Sequence, residues 1–92
     1  MRTTNSKSYI YTTKRQEFKA NNLFAKWTDG VYVVYSYGKH FPMYIYNPIE
    51  QIWYENKDKY SQSTSKQQTQ ARPTGEDTVL ISTDAMQREM EV

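Results

Sequence analysis

The chain has 92 residues, a formal net charge of +2, no cysteine and a single histidine. This length allows one small domain, whose core is too small to enclose a large active site. Without cysteine there are no disulfides or thiolate metal sites, and one histidine excludes a histidine-rich site, so we expect neither metal nor cofactor. The cysteine usage favours a reducing, cytoplasmic setting. Residues 1–7 lack an apolar run, and no segment approaches the roughly 20 apolar residues of a membrane span, so we expect neither a standard export signal nor a membrane partner.

Charge is distributed unevenly along the chain. Residues 1–28 contain six cations and one acid, whereas residues 75–92 contain five acids and one cation. This asymmetry favours an N-terminal half that faces a polyanion. The alternative is that the two ends neutralise each other across the folded domain.

The first 16 residues are rich in Ser, Thr, Lys and Arg. Their composition predicts a mobile basic arm over residues 1–16, followed by a single α+β domain over residues 17–92 with a linker near residues 74–77. The alternative is that Ser8–Thr12 forms an edge strand that completes the sheet.

Two alternating runs, Leu23–Thr28 and Val31–Tyr37, flank the dipeptide Asp29-Gly30. Both positions of a tight hairpin turn need positive φ, and Asp-Gly therefore predicts a two-residue turn between two antiparallel strands. One face of this hairpin carries no charge, and we assign it to the core: Leu23, Ala25, Trp27, Tyr32 and Val34. The other face contains Lys26 among apolar residues, and we expect it to be half-covered or to face a ligand.

Further elements follow along the chain. A third strand is predicted at Phe41–Tyr46 and a fourth at Gln51–Tyr54. A capping-box pattern predicts a short polar helix over about residues 64–72. A strand is predicted at Thr78–Ile81 and a last helix over Ala85–Glu91. Thr83 or Asp84 could cap this helix, in which Met86 and Met90 lie one turn apart. The fold class is therefore α+β, a small twisted antiparallel sheet of three to five strands with one or two short helices.

Four segments carry a resemblance to known sequences: Tyr32–Tyr44, Trp53, Lys59–Lys66 and Gln70–Pro73. Together they resemble a family of small uncharacterised domains in phage, prophage and plasmid genomes, over about residues 20–73. The resemblance implies a mobile-element origin and a small α+β domain, and it implies no activity. The family pattern has a histidine where Gln67 stands here, so no histidine chemistry is carried over to this position.

The sequence shows no catalytic constellation. His40 is the single histidine, and the nearest acid in sequence is Glu50, so the partner that a catalytic pair needs is missing. The acids Glu55 and Asp58 stand among lysines, and the three glycines are scattered rather than gathered in a phosphate-binding loop. We therefore expect no catalytic residues, and the protein is not expected to be an enzyme.

An aromatic and cationic sheet face is the first candidate binding surface. Tyrosines and lysines on one face can stack on unpaired bases and contact phosphates. The candidate residues are Lys26, Tyr35, Tyr37, Lys39, His40, Tyr44 and Tyr46, and Phe24 contributes a further ring to this face. The alternative is that the last helix covers this face and the tyrosines belong to the core.

The polar segment before Pro73 is the second candidate surface. Its amides and cations can hydrogen-bond to phosphates or to a protein surface. The candidate residues are Lys66, Gln67, Gln70 and Arg72. The alternative is a capped polar helix without a binding role.

These observations lead to two hypotheses about function. The first is a non-enzymatic phage-type protein that binds and occludes a host protein or nucleoprotein complex, such as a CRISPR effector, in the cytoplasm of a bacterial host. The second is a nucleic-acid-binding accessory protein of phage DNA or RNA metabolism, whose affinity falls steeply with salt.

Overall fold

In a computed structural model, the chain is described over residues 2–37, 41–58 and 62–90. These residues form an α+β fold with one six-stranded sheet and three short α-helices, the first preceded by a 3-10 turn at Asn5–Lys7. Strands β1 to β6 are Phe18–Lys19, Leu23–Thr28, Val31–Ser36, Pro42–Asn47, Ile52–Asn56 and Thr78–Ile81. Helices α1 to α3 are Ser8–Thr13, Gln62–Ala71 and Thr83–Met90. The predicted α+β class is confirmed, but the sheet is mostly rather than wholly antiparallel, and the predicted numbers of strands and helices are too low, partly because β1 has only two residues and shows no alternation.

The strands lie in the sheet in chain order, and all neighbours are antiparallel except β5 and β6, which are parallel. The β2–β3 hairpin has the predicted register, with Asp29 and Gly30 at φ of 49° and 89° in its turn. A parallel pair needs a long crossover, and residues 57–77 provide it. This crossover contains α2 and brings it onto the sheet.

The first face of the sheet packs beneath α1 and α2. Its buried side chains include Phe18, Leu23, Ala25, Tyr32, Val34, Phe41, Met43, Tyr44 and Trp53. Ala71 of α2 is buried in the same cluster, and Tyr11 of α1 packs against it. The predicted core position of Trp27 is wrong, because this side chain lies near the exposed hairpin turn and is 43% exposed. Its ring N–H donates to the backbone oxygen of Arg15 at 3.1 Å.

The second face of the sheet packs beneath α3. Met86 of α3 is fully buried, and the other buried members of this cluster are Val31, Val33, Tyr35 and Ile45. Phe24 and Tyr35 stack with ring centroids 4.9 Å apart. Lys26 lies on the same face toward β1 and is exposed. The last helix therefore covers the middle of the face that we expected to be half-covered or ligand-facing.

The start of α3 is fixed by side chains from two elements. The Ser82 hydroxyl accepts the backbone N–H of Ala85 at 3.2 Å, so Ser82 provides the cap that was predicted at Thr83 or Asp84. Asp58 accepts the backbone N–H of Thr83 at 2.8 Å, and this hydrogen bond lowers the pKa of the Asp58 carboxyl. The chain after β5 is thereby tied to the beginning of the last helix.

The described residues of the N-terminal segment contact the rest of the domain. The predicted strand alternative at Ser8–Thr12 is wrong, because α1 occupies these positions. Ser8 is buried, and its hydroxyl lies 2.7 Å from the backbone oxygen of Asn5 and 3.3 Å from that of Gln70, while the Gln16 backbone oxygen accepts the Tyr32 hydroxyl at 2.7 Å. Residues 2–16 thus cover part of the first face, and their mobility in solution stays a prediction.

Alkaline pH is expected to destabilise the fold through two buried tyrosines. Tyr32 and Tyr44 are fully buried, and each hydroxyl donates to a backbone oxygen at 2.7 Å. Burial raises the pKa of both phenols above the ordinary value of roughly 10. The unfolded chain then releases protons that the folded chain retains. The stabilisation is complete below pH about 10 and is lost as pH rises toward the raised pKa values, at up to about 1.4 kcal/mol per pH unit for each tyrosine.

Urea unfolding on either side of pH about 10, followed by tyrosinate absorbance, measures this effect. The absorbance of the two phenolates is expected to appear together with unfolding. Ionisation of all tyrosines in the still-folded protein would contradict the prediction.

Candidate functional site

The strand register divides the predicted tyrosine surface between two faces. Directly paired residues point to the same side of a sheet, and Tyr44 pairs with Val34 and Tyr46 with Tyr32, all on the first face. Tyr35 belongs to the opposite face. A register irregularity between Val34 and Tyr35 shifts the pairing after that point. The prediction of one shared tyrosine face is therefore wrong.

Three of these tyrosines have structural partners. Tyr44 is fully buried, and its hydroxyl donates to the backbone oxygen of Gln68 in α2. Tyr35 is buried and donates to Met90 Sδ at 3.8 Å. Tyr46 is half-buried beneath the Arg15 guanidinium, whose carbon lies 4.6 Å from the ring centroid. These contacts support the core alternative for the three side chains. Lys39 and His40 lie outside the described residues.

Arg72, from the second candidate surface, forms an internal ion pair. Its guanidinium donates to both carboxylate oxygens of Glu55 at 2.8 and 2.9 Å. The Thr78 hydroxyl donates to the same carboxylate at 2.6 Å. Glu55 is buried, so this arrangement joins the end of α2 to β5 and β6 and satisfies a buried charge. Arg72 therefore has a structural role in this ion pair.

Four of the five remaining candidates lie around a small pocket between α2 and the first half of the sheet, and Lys26 lies in the neighbouring groove described below. Six residues line it: Asn5, Asn22, Tyr37, Lys66, Gln67 and Gln70. We name it the amide pocket, because four of the six carry side-chain amides. Its volume is about 220 Å³. Tyr37, Lys66, Gln67 and Gln70, which the sequence analysis had assigned to two separate surfaces, are thus brought together.

Three side chains of the amide pocket have different local roles. Gln67 is buried, and its Oε1 accepts the Ser36 hydroxyl of β3, which fixes α2 against the sheet. Lys66 is exposed on α2. Tyr37 is 61% exposed and has φ of 64°, while its backbone N–H donates to the Asn22 oxygen at 2.8 Å. Three other non-glycine residues of the described chain, Arg15, Asp29 and Gln51, also have positive φ, so this backbone conformation does not by itself mark Tyr37 as functional.

Two larger grooves continue this surface around the β1–β2 edge. The first, of about 470 Å³, runs along Phe18–Phe24 and includes Lys26 and Tyr37. The second, of about 520 Å³, is lined by Arg2–Thr4 and Lys19–Asn21. Among the described residues, none of those that line the two grooves or the amide pocket is an Asp or Glu. We name the three together the acid-free surface.

The charges of the acid-free surface come from four exposed cations: Arg2, Lys19, Lys26 and Lys66. By contrast, the groove at the opposite edge of the sheet is lined by Glu55 along with Lys57 and Arg72. Exposed cations attract polyanions, and neighbouring amides add hydrogen-bond donors and acceptors. The exposed acid Glu17 lies beside this surface and not in its lining, and its carboxylate accepts the Trp27 backbone N–H at 2.9 Å. The surface is therefore suited to phosphate-bearing ligands.

Sequence reasoning missed Asn5, Lys19 and Asn22. Asn5 and Asn22 meet only in the folded chain, where Asn5 Oδ1 accepts the Asn22 backbone N–H at 3.4 Å. One signal was available for Lys19, because it belongs to the six cations that gather in residues 1–28.

In residues 2–37, 41–58 and 62–90, no group of three His, Cys, Asp or Glu side chains is placed to hold a metal ion. No helix in these ranges is long and apolar enough to cross a membrane.

Comparisons with known proteins give no match. No family model matches the chain, and no significant match is found among the curated proteins or the solved structures. The resemblance to the mobile-element family therefore stays an expectation from the sequence.

Proposed function

We propose that the protein is a non-enzymatic binding protein that contacts single-stranded nucleic acid through the acid-free surface. The observation that carries the proposal is the continuity of three adjoining concavities with four exposed cations and no lining acid in the described chain. Lysine and arginine side chains bind phosphates, and their contacts supply most of the sequence-independent affinity for nucleic acid.

The position of Tyr37 supports a single strand over a duplex as the ligand. Its exposed ring lines both the amide pocket and the groove beside Lys26. Unstacked bases of single strands bind to such rings, whereas the bases of a duplex are stacked on one another. Phosphates can follow Lys19 and Lys26 while a base contacts Tyr37.

A second candidate function is inhibition of a host defence nucleoprotein by occlusion, in the cytoplasm of a bacterial host. It is favoured by strand β6, an edge of the sheet whose Val79 and Leu80 are 48% and 62% exposed. An open apolar edge can pair with a strand of a protein partner. Co-purification with a candidate effector, lost when Leu80 is replaced by lysine, supports this function. An unchanged effector activity in the presence of the protein contradicts it.

The leading proposal is tested by fluorescence anisotropy of labelled single-stranded DNA and RNA over a series of salt concentrations. Affinity is expected to fall linearly with salt on logarithmic axes, since each phosphate contact releases counterions. Lys19→Ala, Lys26→Ala and Lys66→Ala are each expected to weaken binding and to reduce the slope by about 1.

The matched control is Lys57→Ala, which removes the same charge from an exposed lysine in the Glu55 groove. It is expected to leave affinity and slope unchanged. The proposal fails if no strand binds at low salt, or if Lys57→Ala weakens binding as much as the other three variants.

A further inference from the structure

Phosphate binding by the exposed cations does not explain the size or the amide-rich lining of the amide pocket. Its volume of about 220 Å³ is below the roughly 300 Å³ at which pockets for drug-sized ligands begin. Its volume therefore suits a small group rather than a larger ligand. Its polar lining, with Tyr37 at one side, suits a single base better than an apolar group.

Two of the four amides are used inside the protein. Gln67 Oε1 accepts the Ser36 hydroxyl, and Asn5 Oδ1 accepts the Asn22 backbone N–H. Within the described part of the chain, Asn22 and Gln70 form hydrogen bonds through backbone atoms: the N–H and oxygen of Asn22 and the oxygen of Gln70. In that part of the chain, their side-chain amides line the pocket without a hydrogen bond to another protein group.

We propose that the amide pocket holds one adenine of a bound single strand, stacked on Tyr37 and recognised by the amides of Asn22 and Gln70. A side-chain amide presents an N–H donor beside its oxygen acceptor, which matches the N6 donor and N7 acceptor of adenine, whereas guanine presents two acceptors on the same edge. The exposed Lys66 at the pocket lies where it can contact the adjoining phosphate. The proposal rests on the proposed function and adds base preference to it.

The test compares a labelled oligo-dT with the same strand carrying one central dA, and with a third strand carrying one central dC. The dA strand is expected to bind about tenfold more tightly, within the range for a bidentate amide–adenine contact. Asn22→Ala and Gln70→Ala are each expected to reduce this preference and to leave the salt dependence of oligo-dT binding unchanged.

The matched control is Gln87→Ala, which removes a half-buried glutamine from α3, as Gln70→Ala does from α2. It is expected to preserve the preference for dA. Circular dichroism of each variant establishes that α2 and the sheet are retained.

Salt-dependent binding of all three strands with equal affinity overturns base recognition and leaves the proposed function intact. Absence of binding to every strand overturns both proposals. A preference for dA that survives both Asn22→Ala and Gln70→Ala overturns the assignment to this pocket.

Discussion

Replacing Met86 with alanine is expected to lower the free energy of unfolding by about 3 kcal/mol, a typical cost for truncating a buried methionine. Met86 is the buried side chain of α3, and it packs in one cluster with Val33, Tyr35 and Ile45. A helix of eight residues is not stable alone, and its position depends on this packing. For a chain of this size, the loss corresponds to a fall in melting temperature of roughly 12 to 24 °C.

Urea unfolding followed by tryptophan fluorescence measures the change. Met90→Ala is the matched control, because Met90 lies one turn later and is only partly buried. It is expected to cost less than half as much. A Met86→Ala variant within about 1 kcal/mol of the parent, or a more damaging Met90→Ala variant, would show that α3 is not anchored on the sheet as described.

Replacing Tyr37 with alanine is expected to weaken single-strand binding by 1 to 3 kcal/mol, or roughly 5- to 150-fold, as for other base-stacking aromatic residues. The ring is mostly exposed, so its removal should leave the stability nearly unchanged. Tyr37→Phe keeps the stacking surface and is expected to keep most of the affinity.

Anisotropy titration of oligo-dT measures the effect, with Tyr9→Ala as the control. Tyr9 is an exposed tyrosine of α1, and it lines none of the three concavities of the acid-free surface. Equal losses for Tyr9→Ala and Tyr37→Ala would indicate a general effect of surface aromatics. An unchanged affinity of Tyr37→Ala would show that no base stacks on this ring.

Local signals in the sequence predicted the elements whose geometry is set locally. Asp29-Gly30 supplies the two positive φ values of a tight turn, which fixes the β2–β3 register. The last helix was predicted with Met86 and Met90 one turn apart, and both side chains lie on the side of α3 that meets the sheet. By contrast, α1 was not predicted, because it is a short polar helix with no apolar periodicity. It packs on α2 through buried Ser8, whose hydroxyl lies 3.3 Å from the Gln70 backbone oxygen, and such a long-range contact leaves no local pattern in the sequence.

The candidate surfaces were harder to predict because they depend on how distant segments meet. The irregularity after Val34 decides that Tyr35 and Tyr44 lie on opposite faces, and alternation alone does not reveal it. The amide pocket joins Asn5, Tyr37 and Gln70 from three parts of the chain. Residue chemistry could identify Tyr37 and Gln70 as candidates, but only the fold shows that they share one site with Asn22.

The central claim is that nucleic acid contacts the acid-free surface, and amide chemical-shift mapping tests it most directly. The labelled protein is titrated with oligo-dT carrying one central dA. The largest changes in amide chemical shift are expected in Lys19–Asn22, at Tyr37 and across Lys66–Gln70, with little change in α3. Shifts centred on Val79 and Leu80 of β6, or no shifts when the strand is in excess, would contradict the claim.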